Sequence, residues 1–372
     1  MSRPAPKPLA LVLIGLLGLA GLVWMIWPRP PALEQGAVAG DAGEATWELR
    51  HLEGKASLRG PTMGTSYSVV LAGEGLEAEP IAAALEAVDA ELAAVNAEMS
   101  TYLEDSALSR FNAAGAGEPF AASAHLIAVV AAAKDISERS SGAFDVTVGP
   151  LVDAWGFGPD PRQRRELEAD EIAALRARVG DEKLRVDVDA GVLEKSVAGL
   201  RVDLSAIAKG HGCDRVAAVL DGLGFERYMV EVGGEVRARG LNPEGEPWRI
   251  GIERPTADAE GARAVQAILP LRDACAATSG DYRNYWEVDG VRYSHTVDPR
   301  TGRPIEHSLA SVTVVHPDSA ALADGWATAL NVLGPDEGLA LAKSEGLAAY
   351  FLVREAEGFS VRQTSAFEAL LP

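Results

Sequence analysis

Ile81, Leu85, Val88, Leu92, Val95 and Met99 recur at spacings of four and three, which is one face of an amphipathic helix, and Pro80 suits its first turn. The same spacing predicts a second helix from Ser123 to about Arg139. A short third follows around Asp170–Val179, inside the charged stretch 159–182. From Leu184 the period changes. "LRVDVDAG", "VLEKSVAG", "LRVDLS", "YMVEVGGEVRARG", "WRIGIERP" and "AVQAILPL" alternate as strands do, and Asp289-Gly290 in "EVDGVRYS" is a hairpin signal. Helices from about Ser319 to Leu333 and from Pro335 to Glu345 precede the closing strands. Near the start, "ASLRGPTMGTSYSVVLAG" has strand character broken by a turn at "GPTMGT". Strands, helices and then runs of antiparallel hairpins indicate an α+β class built on antiparallel sheets, not an alternating βαβ fold. No internal domain boundary interrupts the pattern.

The first residues read differently. Arg3 and Lys7 precede an uncharged apolar run, Leu9 to Trp27, close to the roughly 20 residues that cross a bilayer as a helix. Trp24 and Trp27 fall where an interfacial aromatic belt would lie, and the basic flank keeps the N-terminus cytoplasmic. The expectation is a single-pass inner-membrane anchor over residues 1–27 with the remainder on the periplasmic side. A cleaved signal peptide competes with it. Against cleavage, the small-x-small site at Ala37–Gly40 lies far past the apolar run. No cysteine stands near the run, which excludes a lipoprotein-type lipid anchor. Residues 28–54, rich in Pro, Gly, Ala and Glu, read as a linker, and residues 55–372 as the folded domain.

The 372 residues carry a net charge of −20, which argues against nucleic acid as a partner. An acidic protein that holds an anionic ligand needs local help from a cation, helix N-termini or placed Lys and Arg. The two cysteines, Cys213 and Cys275, form no CxxC or zinc-type cluster. They read as small buried residues, with a disulfide between them left open.

Six stretches carry candidate chemistry. In "VDLSAIAKGHG" a strand ending at Leu204 meets a helix beginning near Ser205–Ala208, with Asp203, Ser205 and Lys209 at the joint. That is either an anion site or an N-capped joint with a solvated lysine. Asp324 and Thr328 in "ADGWATAL" are four apart and share a helix face, so they can offer two hard oxygens to Mg²⁺ or simply face solvent. Gly233-Gly234 marks a tight hairpin or the close approach of a ligand. Gly64 opens room beside Met63 and Thr65. Phe144 and Asp145 can meet an aromatic ring and a polar group, or serve as a core residue and a turn cap. "YSHTVDPRTGRP" places His295 and Asp298 at a hairpin end, where His295 is a base, a phosphate donor or a structural histidine. Serine-hydrolase, zincin, Walker A and Rossmann motifs are absent.

In this order the segments "PTMGTSYSVV", "AEMSTYLEDSALSRFNAAG", "SGAFDVTVGPLVDAWGFG", "VDLSAIAKGHGCDRVAAVL", "VEVGGEVRARG", "SGDYRNYW", "SHTVDPRTGRPI" and "ADGWATALNVLG" resemble the FAD:protein FMN transferase (ApbE) family, from residue 55 to about 335. The resemblance implies a single α+β domain that uses FAD and Mg²⁺. It would move FMN onto a threonine, sometimes serine, hydroxyl of an acceptor protein, commonly a membrane redox subunit outside the cytoplasm, and release AMP. Residue by residue it implies Mg²⁺ ligation by Asp324, Thr328 and the carbonyl of Ala206. It implies FAD contacts at Met63, Tyr102, Ala143, Phe144, Asp145, Asp203, Lys209 and Val297, and a catalytic role for His295, with Asp298 the runner-up base. Acceptors of the family carry an Asp/Ser-Gly-x-Thr-type motif. The chain shows no convincing copy, so self-flavinylation is not expected. A Mg²⁺-dependent FAD pyrophosphatase and a non-catalytic flavin-binding accessory protein are the alternatives.

Overall fold

The computed structural model describes residues 48–52, 54–74, 76–158, 164–255, 264–281, 285–288 and 291–372. Its frame is a nine-stranded antiparallel sheet whose strands lie side by side in chain order. They are β1 (Glu48–Leu52), β2 (Lys55–Thr62), β3 (Thr65–Ala72), β4 (Tyr228–Val232), β5 (Glu235–Arg239), β6 (Ala274–Gly280), β7 (Leu309–His316), β8 (Ala348–Arg354) and β9 (Phe359–Gln363). Apart from a short C-terminal helix, the other described elements are inserted between neighbours of this meander. β1 lies in the stretch expected as linker; five residues are too few for alternation to stand out there, and pairing with β2 from Glu48↔Arg59 to Leu52↔Lys55 supplies the order.

Both faces of the sheet are covered, and period-2 alternation decides which side each residue serves. From β3, Tyr67, Val69 and Leu71 pack under helices, while Val70 and Ala72 face the other way. The helical face carries α1 (Ala78–Met99), α2 (Ala124–Arg139), α3 (Ala208–Gly222) and α4 (Ala320–Ser344). The opposite face is closed by the hairpin Trp248–Glu253/Val265–Leu271 and the short C-terminal helix Ser365–Glu368, with Trp248, Ile250, Leu269 and Phe367 buried there.

The predicted helices form with identifiable causes. α1 buries Ile81, Ala84, Val88, Leu92, Val95 and Met99; Leu85, expected on the same face, is half-buried at its margin. Ser123 caps α2 by accepting the Leu126 N–H at 3.1 Å. The two helices expected on either side of residue 334 form, and α4 spans both: Gly334, at φ 78° and ψ −172°, is non-helical and Pro335 follows it. Pro335 has no N–H for the carbonyl of Asn331, four residues back. His307 Nε2 takes that place, 2.8 Å from the Asn331 oxygen.

α3 and α4 cap one another. Asp214 of α3 accepts the N–H groups of Ala320 and Ala321 at 2.9 and 3.1 Å, and Asp324 of α4 accepts the N–H of Gly210 at 3.1 Å. Two helix N-termini thus meet, each offset by a carboxylate from the other helix.

Several expectations are corrected. "LRVDLS" is not a ladder strand; one bridge, Val148↔Arg201, is formed. The Asn112 amide substitutes for a neighbouring strand, bonding both the N–H and the carbonyl of Val202 at 2.8 Å. α3 begins at Ala208 with Ile207 as an N-cap lacking a side-chain bond, so Ser205 does not cap it. Cys213 and Cys275, by contrast, are the buried, free residues expected, and the disulfide left open between them does not form. The Asp289-Gly290 turn lies outside the described residues, but the strands flanking it pair at Val288↔Val291. The expected transmembrane helix is also corrected: among the described residues no helix is long and apolar enough to cross a membrane. Leu9–Trp27 lies outside them, so the membrane partner and the periplasmic, single-pass placement that rested on it find no support and are withdrawn.

On α3, His211 is buried with Nε2 lacking a hydrogen-bond partner. Burial pushes its imidazole down to about 4, and His125 and Arg215 add to this while Asp214 and Glu91 oppose it. The neutral ring is therefore favoured in the fold. Its contribution is present above the unfolded value near 6.5 and is lost as pH falls from there toward 4, up to about 3 kcal/mol. Urea unfolding of wild type and His211→Gln between pH 7 and 4 should show a flatter profile for the variant. Parallel profiles would contradict the assignment.

Candidate active site

Loops at one end of the sheet enclose a cavity of about 460 Å³, within the range of small-molecule sites. Its walls come from two hairpin turns, the end of β6, the N-terminal joint of α3, one face of α4, the loop after α2 and the segment around His295. Met63, Tyr102, Ala143, Phe144, Asp145, Asp203, Ala206, Lys209, His295, Val297, Asp324 and Thr328 all line it. The structure thus brings these twelve residues to one cavity from segments far apart in the chain, while Asp298, the runner-up base, does not line it.

Each wall has a local cause. Met63 (φ 47°) and Gly64 (φ 70°) form a two-residue turn between β2 and β3, the left-handed geometry that hairpins prefer. Gly233-Gly234 is likewise a tight turn, between β4 and β5. A Cβ on Gly233 would stand 2.9 Å from Lys209 Cδ and 3.0 Å from Thr65 Cγ2, so the lysine stem lies directly against this turn. Asp203 accepts the Ser205 N–H at 2.9 Å and donates its own N–H to Val146 at 2.7 Å, which fixes the joint before α3. Tyr102 is 71% exposed, an aromatic ring standing free on the cavity wall.

The floor is charged and buried. Lys209 Nζ is 2.8 Å from Glu235 Oε1 and 3.6 Å from Asp324 Oδ2. Burial alone would lower the lysine, but Asp324 and Glu235 outweigh it and hold the ammonium above its usual range. Burial raises Glu235 while the adjacent Lys209 ammonium pulls it back down, and Glu235 Oε2 has no hydrogen-bond partner. Thr328 Oγ1 is 3.0 Å from Ser279 Oγ on β6. Asp145 is raised by burial, and the backbone and hydroxyl of Thr147, both donating at 2.7 Å, counter this.

Some roles narrow. Phe144 is 2% exposed, and its ring belongs to the core beside Ile136 and Gly325, which argues against a free stacking ring. Asp298, the runner-up base, accepts the Arg300 N–H at 2.8 Å and its guanidinium at 2.9–3.3 Å, while its carbonyl accepts from Gly302 at 2.7 Å. It is a turn residue. His295 is half-buried, its ring 6.3 Å from Phe157 in an edge contact. Glu235 and Ser279 were not among the sequence candidates. Glu235 sits in an alternating strand where a carboxylate reads as solvent-facing; the preceding Gly-Gly was the one available signal.

Among the described residues no group of three or more His, Cys, Asp or Glu side chains is placed to hold a metal. What the floor offers is the Asp324 and Glu235 carboxylates and the Thr328 and Ser279 hydroxyls, all oxygen donors.

The ApbE family profile matches residues 63–351. The chain is 45% identical over 317 residues to the FAD:protein FMN transferase of Haemophilus influenzae, covering 84% of this chain and 91% of that protein. Against the same-named protein of Vibrio cholerae it is 46% identical over 314 residues, covering 84% and 92%. The structure superposes on the flavin transferase ApbE from Vibrio cholerae with a TM-score of 0.77 at 43% identity, over 85% of this chain and 99% of that one. It superposes on the apo form of the Pseudomonas stutzeri flavinyl transferase ApbE with a TM-score of 0.76 at 43% identity, over 87% and 97%. With a matching family profile over most of its length and relatives this similar, the chain belongs to the ApbE family of FAD:protein FMN transferases.

Proposed function

We propose that the cavity carries out Mg²⁺-dependent transfer of FMN from FAD to a threonine or serine hydroxyl of an acceptor redox protein, releasing AMP. The observation that carries this reading is the convergence of Ala206, Lys209, Asp324, Thr328 and His295 on one cavity of ligand size. The floor fits a small hard cation. Its donors are oxygens, and two buried carboxylates, Asp324 and Glu235, face the one ammonium of Lys209. Asp324, Thr328 and the Ala206 carbonyl would hold the ion. Bound there, Mg²⁺ would neutralise pyrophosphate charge as AMP leaves.

The chain's own groups do the rest. Lys209 places a positive charge at the same floor for phosphate oxygens. Met63, Tyr102, the Ala143-Phe144-Asp145 run, Asp203 and Val297 form the walls against which FAD is oriented. A threonine hydroxyl is a weak nucleophile and needs a base. His295 accepts its proton or orients the phosphate; Asp298 is already engaged by Arg300. A His295→Asn variant should lose about 10²-fold or more in transfer rate with FAD affinity kept. Full turnover by that variant would remove His295 from catalysis.

The reaction itself is read by mass spectrometry with FAD, Mg²⁺ and a threonine-containing acceptor peptide. The expected products are the peptide bearing covalent FMN and one AMP per transfer. Free FMN and AMP with unmodified peptide would make water the acceptor and the activity a pyrophosphatase.

A further inference from the structure

Lys209 stands between two buried carboxylates and does not share itself equally: Glu235 is the near partner at 2.8 Å and Asp324 the far one at 3.6 Å. The surroundings impose this asymmetry. Gly233, without a side chain, lets the lysine stem lie along the turn that leads into Glu235. Glu235 is anchored at the head of β5 by its pairing with Val232, and its carbonyl accepts from Cys213 Sγ at 3.1 Å. Asp324 is held by the Gly210 N–H, which bonds Oδ2 at 3.1 Å, the same oxygen that lies 3.6 Å from the ammonium.

An ammonium paired directly with Asp324 would take up the charge and lone pairs that a cation needs. Lysine is a point charge on a flexible stem, and without its near partner the strongest remaining attraction on this floor is Asp324. We propose that Glu235 is a positioning residue: it holds the Lys209 ammonium away from Asp324 and so keeps that carboxylate open to a divalent cation. This rests on the reading of Asp324 as a cation ligand.

The test is Mn²⁺ binding to the FAD-free protein, followed by electron paramagnetic resonance or calorimetry, with the fold checked by thermal melting. Wild-type binding should be lost in Asp324→Asn; binding unaffected there would overturn both the ligand reading and the proposal. With that established, Glu235→Met should weaken Mn²⁺ binding by about 10-fold or more, and Glu235→Gln, which keeps an acceptor for Lys209, by less. Unchanged affinity in Glu235→Met would overturn the positioning role alone. The deciding comparison is Lys209→Met against the Lys209→Met/Glu235→Met double variant, in which the ion pair is replaced by apolar side chains that a core tolerates. The proposal expects the two to bind Mn²⁺ equally, since Glu235 acts only through Lys209. A further loss in the double variant would make Glu235 a direct ligand and contradict the proposal.

Discussion

Asp324→Asn is expected to lower FMN transfer by about 10³-fold while leaving the protein folded. The reason is the division of labour at this side chain. Asp324 is 2% exposed, and its Oδ2 accepts the Gly210 N–H at 3.1 Å. An asparagine carbonyl still accepts that bond, so the junction of α3 and α4 survives. What disappears is the negative charge on a floor that would bind a cation. Transfer rates measured against thermal melting separate the two effects. A variant that loses activity only in proportion to its loss of folded protein would make Asp324 a structural cap.

The second large effect falls on the fold. In Gly210→Ala the new Cβ would lie 2.2 Å from the Ala320 oxygen, 2.5 Å from its carbonyl carbon and 2.8 Å from Ala321 Cα. These are backbone atoms of α4, so no side-chain rotation relieves the clash. Overpacking of this kind costs about 1–3 kcal/mol where side chains adjust, and here the upper end or beyond is expected. Forcing α3 and α4 apart also separates Lys209 from Asp324, so activity should fall further than stability alone explains. Gly222→Ala, at the end of the same helix with nothing within 4 Å of its added Cβ, is the control and should cost nothing measurable in urea unfolding. A Gly210→Ala protein as stable as that control would refute the close-contact argument.

Local signals carried much of the architecture. The stripe from Ile81 to Met99, the Ser123 cap and the alternation through Tyr228–Arg239 are physical causes that act within a few residues, and each element formed where they indicate. Effects that depend on partners distant in the chain were not legible. Leu200–Leu204 alternates like a strand, yet the N–H and carbonyl of Val202 bond an asparagine side chain ninety positions away, and the Asp203 N–H bonds the Val146 carbonyl. Whether Phe144 faces a ligand or the core depends on Ile136 and Gly325, which the segment itself does not contain. The role of Glu235 is not legible locally for the same reason: burial, and the lysine that accompanies it, are set by α3 and the Gly233-Gly234 turn. The cavity was readable only as an ordered set of short segments, each ambiguous alone. The membrane anchor expected from the apolar run finds no support in the described residues. Membership of a transferase family sets aside the non-catalytic reading.

The decisive measurement is an anomalous-difference map from crystals of this protein soaked with FAD and Mn²⁺ in place of Mg²⁺. The expected result is a peak bounded by the Ala206 carbonyl, the Asp324 carboxylate and the Thr328 hydroxyl, with the FAD pyrophosphate beside it and His295 on the facing wall. FAD bound in the cavity with no peak there, or with the metal held elsewhere, would contradict the assignment of this floor as the seat of the transfer reaction.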